Sequence, residues 1–139
     1  MSRVASLVLT FWAGSLWTIC GLVAPTLFAV LDDRQIAGRL AATFFRVETI
    51  IGVVAGCVLI GMSVTGRLQL PGWLGRTLIA ITAGAPLLSQ LGLQPFMERA
   101  RVAGDMAQFG LLHAVAALLF LVACLSALLL VWRLHRPAG

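Results

Sequence analysis

Apolar positions fall into four long blocks separated by short polar punctuation. The first runs from Val4 to Leu31 with hydroxyls inside it, those of Thr10, Ser15, Thr18 and Thr26 among them, and the others cover about 43–66, 73–97 and 108–132. A helix needs about 20 apolar residues to cross a bilayer, so each block is long enough for one span. The pattern predicts an all-α integral membrane four-helix bundle, a single four-span domain over 1–139 with spans at about 4–31, 43–66, 73–97 and 108–132. The first block reads as a retained helix. Cleavage after Ala24 would put Leu22 at the position reserved for a small residue and Pro25 just after the cut.

The punctuation carries helix signals. Asp32 and Asp33 offer N-caps, and Ile36, Leu40 and Phe44 then repeat at i, i+4, i+8 while Arg34 and Arg39 take another face. This predicts a short interfacial approach to the second span. Pro71-Gly72 marks the tight connection between spans two and three. Gly104 followed by Asp105, with Gln108 three residues on, reads as a helix stop and a new cap, so the fourth helix is predicted to begin near Met106.

Composition removes the alternatives. The chain has 139 residues, of which 60% are hydrophobic and 11% charged, against about 25% charged for a soluble domain. Its mean hydropathy is +1.02. Four spans consume nearly all of the apolar residues, leaving no room for a separate soluble domain. The net charge of +5 does not point to nucleic acid: the basic residues are all arginine and sit singly or in pairs at the ends of apolar blocks. Arg3, Arg67, Arg76, Arg133 and Arg136 fall on the side of the termini, and Arg34, Arg39, Arg46, Arg99 and Arg101 on the other side together with all five acids. We expect both termini in the cytoplasm of a bacterial inner membrane; arginine in place of lysine fits a GC-rich genome. Cys20, Cys57 and Cys124 lie deep in the blocks without ligand spacing and read as packing residues.

Lipid provides no hydrophobic drive between helices, so small residues mark candidate contact faces. Gly14, Thr18, Gly21 and Pro25 form such a stripe in the first span, and Gly52 and Gly56 form a G-x-x-x-G in the second, which would also serve as a lipid-facing seam in a homo-oligomer. Pro25, Pro86 and Pro95 are expected to kink or open their helices, with Thr82 placed to help at Pro86.

Ionisable groups inside spans are costly and therefore candidates for function. Glu48 and His113 each lie about five residues into their predicted spans, so about 7.5 Å deep. Arg46, Gln90, Gln94 and Thr26 approach the same end. The expectation is one polar layer, with Glu48 paired to Arg46 or His113 and the glutamines completing the hydrogen bonds. A bis-histidine haem is excluded because His135 is 22 residues after His113 and so about 33 Å away along a helix. A metal or haem site centred on His113 with Met97 or Met106 remains as the alternative, Cu(I) being suited to thioethers. No G-x-S-x-G, P-loop or carboxylate pair within one span occurs, so no enzyme and no cofactor are expected.

Trp12-Ala13-Gly14-Ser15-Leu16-Trp17, Ala24-Pro25-Thr26-Leu27-Phe28, Asp33-Arg34 with Ala37-Gly38, and Phe109-Gly110-Leu111-Leu112-His113 together resemble the transmembrane protein 205-like family of bacterial four-helix membrane proteins. The similarity extends over nearly the whole chain and implies that fold without implying an activity. Where that family places Gly and Ser after the histidine, this chain has Ala114, Val115 and Ala116. A remoter similarity to copper-resistance-type membrane domains goes with the metal alternative. The lead expectation is a small transport component or membrane assembly partner whose polar layer binds a small polar or ionic species, with the bilayer, a homo-oligomer or another membrane protein as partners.

Overall fold

A computed structural model describes residues 3–68 and 72–134; Pro71, Arg136 and His135 lie outside the described residues. Four helices are long and apolar enough to cross a membrane: α1 (Arg3–Val30), α2 (Arg34–Val64), α3 (Trp73–Val102) and α4 (Met106–Leu134). No strand occurs among the described residues. Each helix packs on its two sequence neighbours and α4 closes back onto α1, giving an up-down-up-down bundle. This is the architecture of a multi-pass membrane protein.

The caps act as their residues suggest. Asp33 Oδ1 accepts from the backbone N–H groups of Gln35 at 2.7 Å and Ile36 at 3.2 Å and so starts α2. Asp105 Oδ1 accepts from Gln108 N at 2.9 Å after Gly104 has stopped α3 with φ +74°. The approach segment is continuous with the second span: nothing between Arg34 and Val64 breaks the backbone ladder, and α2 runs through all 31 residues.

Two helices share a device. In α1 a π-helical turn at Ile19–Val23 precedes Pro25, and in α3 one at Ser89–Leu93 precedes Pro95. A proline ring collides with the carbonyl four residues earlier, here Gly21 or Leu91, and widening that turn makes room for it. Ala24 N then donates to Ile19 O, and Gln94 N to Ser89 O, as i→i−5 bonds. The two prolines are seventy residues apart, as are the starts of the two π-turns at Ile19 and Ser89. The hairpins α1–α2 and α3–α4 thus follow one plan. Pro86 lies within the first α-helical part of α3, and the Thr82 hydroxyl donates to Leu78 O at 2.8 Å, away from the carbonyl that Pro86 frees.

Inside the bundle, bulk from α1 meets glycine from α2. Leu9, Trp12 and Leu16 are fully buried. A Cβ on Gly52 would lie 3.0 Å from Trp12 Nε1, and one on Gly56 would lie 3.2 Å from Ala83 Cβ in α3. The G-x-x-x-G therefore forms the seam inside the molecule and is not available to a second copy. Gly14, Thr18, Gly21 and Pro25 face outward instead, Gly14 and Gly21 with nothing within 4 Å of a Cβ. Trp12 and Leu16 occupy the inner face of α1, which turns that stripe away. The hairpins also part toward the Asp32 and Asp105 end: no residue of α1 beyond Ile19 and none of α4 before Phe120 is buried.

Candidate intramembrane carboxyl site

Glu48 is the buried charge of the bundle interior, only 1% exposed near the middle of α2. Ser15 of α1 reaches it, with Oγ 3.0 Å from Glu48 Oε1. The same Oγ lies 2.9 Å from the carbonyl of Trp12, one turn back. A hydroxyl carries a single proton. If Ser15 donates to the Trp12 carbonyl, the contact with Glu48 is a hydrogen bond only when the carboxyl carries a proton and donates it to Ser15 Oγ. Glu48 Oε2 is buried and has no hydrogen-bond partner among the described residues.

The surrounding residues come from α1 and α4. The rings of Phe45 and Phe120 lie 4.5 Å apart and set the relative level of α2 and α4. Cys124, one turn past Phe120, comes level with Glu48, one turn past Phe45. Trp17 Nε1 donates to the Cys124 carbonyl at 3.2 Å, tying α1 to α4 at this height. The thiols of Cys20 and Cys124 adjoin, and both lie within electrostatic reach of Glu48. Cys57 is exposed on the outside of the bundle.

The expected polar layer is not assembled. His113 lies seven residues before Phe120 while Glu48 lies three after Phe45 on a helix running in the same direction, which separates them by about 15 Å along the bundle. Where α4 diverges from α1, His113 is exposed and stacks on Phe109 at 6.0 Å between ring centroids. Arg46 is on the outer face of α2, two residues from Glu48 and so on another side of the helix, and forms no ion pair with it. Thr26 is exposed. Gln90 and Gln94 are half-buried around the π-turn of α3; neither hydrogen-bonds to Glu48, although the Gly56–Ala83 contact between α2 and α3 brings Gln90 about level with it. Met97 is buried, whereas Met106 is exposed with His113 two turns on. No group of three or more His, Cys, Asp or Glu side chains that could hold a metal occurs among the described residues. Sequence reasoning missed Ser15 and Trp12. Their signal was the spacing of Leu9, Trp12 and Leu16, which marks the inner face of α1 and carries Ser15 at its edge.

A family model matches residues 7–106, most of the chain. The chain belongs to the DUF4149 family. That family is described as a domain of unknown function, and the matched region contains both Ser15 and Glu48 but ends at the first residue of α4, before His113. No curated protein and no solved structure matches this DUF4149 chain.

Proposed function

We propose that this DUF4149 protein is a non-enzymatic membrane carrier or assembly component whose Glu48–Ser15 centre takes up and releases a proton or a small cation. The observation that carries this reading is Glu48 itself, 1% exposed with Oε2 unpartnered. A bare carboxylate in hydrocarbon is among the costliest groups to bury, and neither Arg46 nor His113 is near enough to compensate it, so a proton or a bound cation does. The other titratable neighbours are the thiols of Cys20 and Cys124.

The resemblance to the transmembrane protein 205-like family agrees with a membrane role without assigning chemistry. In this reading the protein resides in the bacterial inner membrane with both termini cytoplasmic. Arg46, two residues before the buried Glu48, lies deeper in α2 than Arg34 and Arg39, and setting it aside leaves five arginines on the terminal side against four on the acid-rich side. Its partners are lipid and a second membrane protein or copy, and it needs no resident cofactor.

The test is infrared difference spectroscopy of the protein in lipid nanodiscs on changing pH or adding sodium. A carboxyl C=O band that responds to either and disappears in Glu48→Gln is the expected result. A spectrum with no Glu48-dependent band under either change overturns the proposal.

A further inference from the structure

A groove of about 670 Å³ runs along the outside of α1 where it meets α2, and Leu7, Phe11, Gly14, Ser15, Thr18 and Phe44 contribute to its walls. The groove opens laterally, toward the lipid, since Leu7, Phe11 and Phe44 are all exposed. Ser15 belongs both to this wall and to the carboxyl centre, because its Oγ contacts Glu48 Oε1. Glu48 is not itself part of the wall and is 1% exposed; it lies behind Ser15, which has to swing aside for a ligand in the groove to reach it.

We propose that this groove binds a lipophilic amine entering sideways from the membrane, with its ammonium group paired to Glu48. The inference rests on Glu48 being the functional centre and names its ligand class. The chemistry is complementary on three counts. A buried carboxyl with one unpartnered oxygen is an acceptor for ammonium N–H donors, and in low dielectric a charge-assisted hydrogen bond is stronger than a neutral one. The walls are apolar and include two phenyl rings, Phe11 and Phe44, of a kind that attracts cations and accommodates an aromatic or alkyl body. Ser15 already has a second partner, the Trp12 carbonyl at 2.9 Å, so it gives up Glu48 Oε1 to the amine without losing its own hydrogen bond. Gly14 lines the groove and is exposed, and a Cβ there would meet nothing within 4 Å, so a larger side chain at this position projects toward the groove and not into the bundle.

The experiment is equilibrium dialysis of radiolabelled 4-phenylbutylamine against protein in lipid nanodiscs, with empty nanodiscs subtracted and 4-phenylbutanol as the uncharged competitor. Saturable binding is expected, at least ten-fold weaker in both Glu48→Gln and Gly14→Leu and not displaced by the alcohol. Binding no greater than in empty nanodiscs, or equal displacement by the alcohol, overturns the proposal. Loss in Glu48→Gln with full binding in Gly14→Leu also overturns it, by removing the groove while leaving the carboxyl centre. If Gly14→Leu instead changes the mass of the purified particle and the amine stays at background, the groove belongs to a second copy and the proposal falls. The Glu48 infrared band, recorded without amine, reports separately on the centre itself.

Discussion

Gly14 and Gly52 look alike in sequence, each opening a small-residue stripe, yet one borders a groove and the other an indole. Adding a methyl at Gly52 places it 3.0 Å from Trp12 Nε1, and the indole, itself 1% exposed, has to shift by a few tenths of an ångström to make room. Gly52→Ala is expected to lower stability by about 1–3 kcal/mol, the usual cost of overpacking. Gly14→Ala, with nothing to meet, should leave stability unchanged or raise it by up to about 1 kcal/mol through its better helix propensity. Unfolding midpoints in mixed micelles of increasing SDS content separate the two; equal losses would contradict the inner seam. The same pair explains what was legible at this scale. A glycine stripe reveals where a hole exists and says nothing about which helix supplies the knob. In α1 the knob is the bulky stripe through Leu9, Trp12 and Leu16, so Gly14, Thr18 and Gly21, on another side of the helix, turn outward.

Helix starts were legible because capping chemistry is local. Asp33 and Asp105 each satisfy backbone donors at the start of a helix, and Gly104 supplies the positive φ that the preceding stop requires. Asp33→Ala is expected to cost about 1 kcal/mol in the mixed-micelle unfolding assay, whereas Asp32→Ala, exposed and outside the cap, should leave that midpoint unchanged. A loss of similar size at Asp32 would show that charge near the helix start, not the Asp33 oxygen, matters. The prolines were legible as perturbations but not in their form. Whether a proline kinks a helix or widens the turn before it depends on what the displaced carbonyls meet, and that is a property of the packed bundle. Pro25 and Pro95 follow π-turns, while Pro86 sits in an α-helical segment of the same span as Pro95.

At the scale of the molecule, helix count follows from hydropathy but relative depth does not. Counting from predicted span ends put Glu48 and His113 at one level. The observed helix α2 begins nine residues earlier than its predicted span, and the Phe45–Phe120 contact sets the actual register between α2 and α4. The hairpins part at the Asp32 and Asp105 end, leaving His113 exposed while Ser15, Trp17 and Cys124 gather around Glu48. This arrangement depends on four crossings in alternating directions, which labelling can test. Cysteines introduced as Arg67→Cys and Arg133→Cys should react with a membrane-impermeant maleimide from one face of oriented vesicles. Asp32→Cys and Asp105→Cys should react only from the other. The native thiols lie within spans and give the background in the unmodified protein. Labelling of Arg67→Cys and Arg133→Cys from opposite faces would mean an odd number of crossings between them and would dismantle the second hairpin. Labelling of Asp32→Cys from the same face as Arg67→Cys would remove α2 as a span and, with it, the burial of Glu48 on which the carboxyl centre depends.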